Sequence, residues 1–146
     1  VDLTTNTLVV SRNSHCPVIC VQPDGELRLI DEASEPIGIR RRTKPQITEI
    51  PLMPRMFVVA YTDGLEAAGM RSTPVFDAAS EVRRLTAAAR VTAKSIADGL
   101  LRRALEFDQN RPQDDISVLV LHVSEASSDG IRRLHLSLPL SLSRRA

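Results

Sequence analysis

The first half of the chain is written in strand periods and the middle in helical ones. Residues 5–13, TNTLVVSRN, alternate weakly and predict a strand. Residues 17–30, PVICVQPDGELRLI, set two β-rich runs around Pro23-Asp24-Gly25, which predicts a hairpin. Residues 34–45 carry two prolines and Gly38 and predict a loop. Two more strands are predicted at 46–52, QITEIPL, and 55–62, RMFVVAYT, joined around Pro54 as a second hairpin. After Gly64 the period lengthens. Residues 65–74 read as a loop or broken turn, and the Ala-rich stretch 75–90 favours helix. In 92–109, Ile96, Leu100, Leu101, Ala104 and Leu105 recur at helical spacing and form one apolar stripe. Gly99 inside that stripe costs about 1 kcal/mol relative to Ala, so close packing or a kink is expected there. NRPQ, 110–113, ends the helix. The near-continuous apolar run 115–123 predicts a strand buried on both faces. A polar turn (124–130) and a last strand (131–140) follow.

Strands, then helices, then strands is an α+β order of antiparallel sheets with flanking helices, not an alternating βαβ one. No internal repeat is present. The 146 residues suit one domain with a true core, since 42% are hydrophobic, but aromatics are only 3%, so aliphatic residues must fill it. Lys and Arg number 19 against 18 acids, a net +1, which leaves no single-sign field for nucleic acid or an acidic membrane. The longest apolar runs are about six residues, against about 20 needed to span a bilayer. The chain opens on Val1 in a strand-like stretch, which predicts a piece of a longer protein. Cys16 and Cys20, on one face of a strand, would lie about 13 Å apart, too far for a disulfide. Two half-buried thiols fit a reducing cytoplasm.

The candidate chemistry lies at strand ends. Asp63 and Gly64 terminate one apolar strand, and Asp114 and Asp115 open another. If those strands are antiparallel neighbours, the carboxylates converge at one sheet edge. Clustered acids repel unless they share a proton or a cation, and all-oxygen donors suit hard ions such as Mg²⁺, Mn²⁺ or Ca²⁺. The same residues also fit a plain turn and a strand cap. Arg40, Arg41, Arg42 and Lys44 form a basic loop that is either a solvated surface or an attractor of phosphorylated protein. His15, His122 and His135 share no ligand spacing, and no nucleotide loop or nucleophile motif is present.

FVVAYTDGLEAAG and RPQDDISVLVLHV, about fifty residues apart with helices between, resemble the end of the metal-dependent (type 2C) serine/threonine protein phosphatase family. The resemblance is to its bacterial branch typified by stage II sporulation protein E and the phosphatases of anti-anti-sigma factors. SHCPVICVQPDGELRLIDEASEPIGI carries it further upstream, so that it covers about 1–123, with 124–146 as a terminal turn and strand. It implies the C-terminal portion of an αββα sandwich, with Asp63 and Asp114 as metal ligands and Gly64 and Asp115 in support. No catalytic side chain beyond the ligands is implied.

The chain also departs from the family. RNSH (12–15) replaces Asn-Ala-Gly-His, and Ala67 stands where an acid is usual, with Glu66 one position early. The Gly-Asp-aromatic motif of the first metal site is not within these residues. The resemblance implies two Mn²⁺ or Mg²⁺ ions in the full domain, and at most one, weakly bound, here. It implies dephosphorylation of phosphoserine or phosphothreonine on a bacterial regulatory protein, by a longer chain of which this part alone is a poor catalyst. The alternative is a non-catalytic module that keeps the fold. Uncovered sheet edges predict self-association, with the strand near 5–12 as a contact.

Overall fold

The computed structural model describes residues 1–2, 4–39, 41–70 and 75–125. In order, these form β1 (Thr7–Arg12), β2 (Val18–Val21), β3 (Leu27–Ile30), β4 (Gln46–Pro51), β5 (Phe57–Tyr61), α1 (Asp63–Glu66), α2 (Ala78–Thr86), α3 (Ala93–Phe107) and β6 (Val118–His122). The fold is α+β, with every strand pairing antiparallel. β3-β2-β5-β6 make a four-stranded sheet and β1-β4 a two-stranded one.

Strand alternation builds three layers. Ile19 and Val21 on β2, with Phe57 and Val59 on β5, face the helices and pack with Leu65, Val82, Ile96, Leu100 and Ala104. Val18, Cys20 and Val58 point the other way and pack with Leu8 and Ile50 of the small sheet. Helices, large sheet and small sheet are thus stacked in that order. The central strands β2 and β5 serve both cores, which is why VICV is buried at every position.

Local chemistry sets the boundaries. Gly25 takes φ +87° in the β2–β3 turn, a conformation that side-chain-bearing residues rarely adopt. The Asp77 carboxylate caps α2 by accepting from the Ala79 and Ser80 amides at 3.0 and 3.2 Å. Thr92 and Ser95 cap α3 reciprocally. Gly99 meets the expectation of close packing, since a Cβ there would lie 2.7 Å from Leu85 Cδ2.

Several expectations are corrected. β4 and β5 do not form a hairpin; β4 pairs with β1 and β5 with β2 and β6. The reason is visible in their patterns. FVVAY is apolar throughout and needs cover on both sides, while QITEIP exposes Ile47 and Glu49 and needs only one. Between them Arg55 takes φ +72°, and the chain crosses from one sheet to the other. β6 is not buried on both faces: it lies at the end of the large sheet, where Val118 and Val120 reach the helices but Leu119 is 56% exposed. Leu101 is also largely exposed, so the α3 stripe is narrower than its spacing predicted. Leu65 and Glu66, at the start of the stretch expected as a loop or broken turn, belong to a helical turn over 63–66. Both cysteines are buried and free, but they do not share a strand face: β2 begins at Val18, so Cys16 lies in the turn before it while Cys20 packs toward the small sheet. Arg40, His135, most of the 124–130 turn and the strand expected at 131–140 lie outside the described residues.

Candidate metal centre at the end of the large sheet

β5 and β6 are antiparallel neighbours, with Tyr61 opposite Val118. The residue after β5 therefore lies beside those before β6, and three contacts fix the junction. The Thr62 hydroxyl donates to the Asp115 carbonyl at 3.0 Å and accepts from the Ser117 amide at 2.9 Å, while the Thr62 amide donates to the Ser117 carbonyl at 3.1 Å. Thr62 sits at the N-cap of α1, yet its side chain makes no cap bond because it is used across the junction. Gly64 is pressed against the same segment. A Cβ added there would lie 2.4 Å from the Asp115 carbonyl oxygen, so glycine is required by space and not by backbone angle. Gly64 and Asp115 thus meet backbone to backbone.

Asp63 is the first residue of α1, and Asp114 and Asp115 precede β6; all three are exposed. Asp114 accepts from the Asp115 amide at 2.8 Å through one oxygen. Among the described residues, none of the three carboxylates has a basic partner within ion-pair distance. Among the described residues the three carboxylates do not form a close donor group; what adjoins is the backbone that carries them. Exposed carboxylate oxygens without a basic partner are the donor type a hard divalent cation takes.

A second group of donors lies alongside. Continuing the β2–β5 register back from Ile19 and Val59 brings the 14–16 turn next to the end of β5. His15 Nε2 stands 3.5 Å from Glu66 Oε2, and Tyr61 OH donates to Glu66 Oε1 at 3.4 Å. Ligand atoms of His15, Cys16 and Glu66 all lie within 4.8 Å of one another. Burial raises the Cys16 thiol pKa, the Ser14 hydrogen bond offsets part of that, and the negative charges of Glu66 and Asp63 add to the rise. Burial, then Glu66, likewise pushes the Tyr61 phenol well above its ordinary range. Buried Arg12 holds the turn, donating to the Ser14 carbonyl at 2.6 Å, the Cys16 carbonyl at 3.4 Å and the Glu32 carbonyl. Spacing along the chain does not reveal this group, because Glu66 is fifty residues from Cys16 and reaches it only through strand pairing. His122, by contrast, stacks on Phe57 with ring centroids 4.3 Å apart.

The layered α+β architecture, with its Thr-Asp-Gly turn locked to an Asp-Asp strand entry, is that of a type 2C phosphatase domain. The model of the family "Stage II sporulation protein E (SpoIIE)" matches residues 1–124, and the chain belongs to that family. Among solved structures it is similar to the phosphatase domain of SpoIIE from Bacillus subtilis, at 15% identity and a TM-score of 0.67, covering 87% of this chain and 57% of that one. It is also similar to the RsbU and RsbW domains of Rv1364c from Mycobacterium tuberculosis, at 19% identity, TM-score 0.67 and coverage of 85% and 34%. RsbX in complex with magnesium matches at 14% identity, TM-score 0.53 and coverage of 82% and 51%. The chain thus spans little more than half of the B. subtilis domain. No curated protein matches it.

Proposed function

We propose that the chain supplies one half of the metal centre of a serine/threonine protein phosphatase, with Asp63 and Asp114 as ligands to Mn²⁺ or Mg²⁺. The observation that carries this reading is the Thr62 junction, which ties the Asp63 turn to the segment holding Asp114 and Asp115. When bound, the ion supplies a water of lowered pKa as nucleophile. The chain's own part is to position two carboxylates. Gly64 and Thr62 fix the backbone on both sides, and Asp115 lends its carbonyl to that contact. Further ligands come from the part of the domain that these 146 residues do not span. The substrate is a phosphorylated regulatory protein of the anti-anti-sigma type, as the likeness to SpoIIE and to the RsbU domain supports. The basic loop around Arg41 and Arg42 is available to attract it. We place the protein in the cytoplasm; no helix among the described residues is long and apolar enough to cross a membrane. Its open edge strands favour self-association.

The test is activity in two lengths of chain. The 146-residue chain with millimolar Mn²⁺ should hydrolyse a phosphoserine peptide little or not at all. A chain extended upstream through a Gly-Asp-aromatic motif should be active, and Asp63→Asn or Asp114→Asn should remove most of that activity. A second reading, a phosphatase-fold module without catalysis, is favoured by RNSH at 12–15, where the family's Asn-Ala-Gly-His is altered. An inactive extended chain that still binds its protein partner would select it.

A further inference from the structure

We propose that His15, Cys16 and Glu66 form a separate site for a thiophilic divalent cation, of which Zn²⁺ is the type, beside the oxygen-donor corner. The donor set is the first ground. One nitrogen, one sulfur and one carboxylate oxygen suit Zn²⁺ or Co²⁺, whereas Mg²⁺ and Ca²⁺ take oxygen. Three protein ligands leave a fourth position for water, the arrangement of open zinc sites.

Geometry is the second. In a tetrahedral site with bonds of about 2.0–2.1 Å, neighbouring nitrogen and oxygen ligands stand about 3.3 Å apart. His15 Nε2 and Glu66 Oε2 are already at 3.5 Å. All three ligand atoms lie within 4.8 Å of one another, and His15, 62% exposed, has room to adjust toward a bound ion.

The third ground is the surrounding support. A metal site needs its ligands oriented from behind. Tyr61 OH holds one oxygen of Glu66 and leaves the other toward His15. The Ser14 hydroxyl accepts from the Cys16 amide at 3.1 Å, and Ser34 donates to the Ser14 carbonyl at 2.7 Å. Arg12, only 5% exposed, reaches three carbonyls and pairs with no carboxylate among the described residues. A buried guanidinium committed to the carbonyls of one turn keeps that turn's shape, and the turn presents His15 and Cys16 together. Binding would release the Cys16 proton, since the thiolate is the ligand.

Co²⁺ reports this site directly. With the thiols kept reduced, titrating the chain with Co²⁺ should give one thiolate-to-cobalt charge-transfer band, displaced by one equivalent of Zn²⁺ but not by excess Mg²⁺. Cys16→Ser should abolish the band. His15→Ala and Glu66→Gln should each weaken Co²⁺ binding by about 100-fold, and Tyr61→Phe by about tenfold. Asp63→Asn and Asp114→Asn should leave the band in place, so its fate is independent of the phosphatase reading. The proposal is overturned by the absence of a charge-transfer band, by a band that survives in Cys16→Ser and therefore belongs to Cys20, or by loss of the band in Asp63→Asn. Should Cys16→Ser fail to fold by circular dichroism, the exposed His15 decides: unchanged Co²⁺ affinity in His15→Ala overturns the proposal.

Discussion

Two corners meet at the end of the large sheet, and they are built differently. The Asp63 and Asp114 corner is held by backbone: a glycine against a carbonyl, and one threonine hydroxyl stitched to two backbone groups. Its acids are exposed and make few contacts of their own. The His15, Cys16 and Glu66 corner is held by side chains, with Arg12 and Ser14 fixing the turn and Tyr61 fixing the carboxylate. The first arrangement leaves its carboxylates exposed on a fixed backbone. The second holds the turn of Cys16 and the Glu66 carboxylate in advance and leaves the exposed His15 ring to adjust, in surroundings that disfavour a bare thiolate. Positions set by backbone tolerate exchange of the functional side chains without loss of fold, whereas positions set by a side-chain network do not.

Breaking the backbone corner should cost most. Gly64→Ala puts a methyl group against a carbonyl that belongs to the β6 entry and cannot rotate away, so a loss of about 3 kcal/mol is expected, at the upper end for overpacking. Urea unfolding of the variant measures it. Asp63→Asn, one residue earlier, should leave the unfolding midpoint unchanged, because Asp63 is exposed. Breaking the side-chain corner comes next. Arg12→Met keeps the length of the buried stem but leaves the Ser14, Cys16 and Glu32 carbonyls without this donor, a loss of about 2 kcal/mol. The same variant should expose Cys16 to alkylation, read by the rate of thiol labelling.

At the helix caps and the helix-helix contact the effects should be smaller. Asp77→Ala removes the α2 cap and should cost about 1 kcal/mol. The hydrogen bond from Ser80, with the backbone bonds, holds the Asp77 pKa below its ordinary 3.8. Its stabilisation is therefore complete above that value and fades as the pH falls through the lowered folded pKa. The difference in stability between Asp77→Ala and the parent chain should shrink in that acid window and stay constant from pH 5 upward. Gly99→Ala should be close to neutral. About 1 kcal/mol of helix propensity is gained, and the Leu85 side chain must move to admit the methyl group.

Much of this was legible in the order of residues. The hairpin at Pro23-Asp24-Gly25, the two main helices and the strand-end acids are local signals, each carried within a dozen positions. That the segments carrying Asp63 and Asp114 adjoin could be anticipated, because both sit at strand ends, and strand ends meet when strands pair. What the chain order concealed is partner choice. β4 could pair with β5 or β1, and only the need of FVVAY for cover on both faces decides it. An apolar run like VLVLH reads the same in the middle of a sheet as at its end, so the exposure of Leu119 was hidden. The mixed-donor corner was concealed most completely. His15 carries no ligand spacing, and Glu66 looked like a displaced acid until β2 and β5 brought it to Cys16.

The proposal that Asp63 and Asp114 together hold a hard divalent cation is open to a binding measurement. Free Mn²⁺ gives a strong electron paramagnetic resonance signal that is lost on binding, and titration of the chain measures that loss. Weak binding of about one ion is expected, as for a site with two carboxylates and the remaining positions filled by water. That binding should vanish in Asp63→Asn and in Asp114→Asn and persist in Glu66→Gln. Mn²⁺ binding that survives both aspartate substitutions would contradict it.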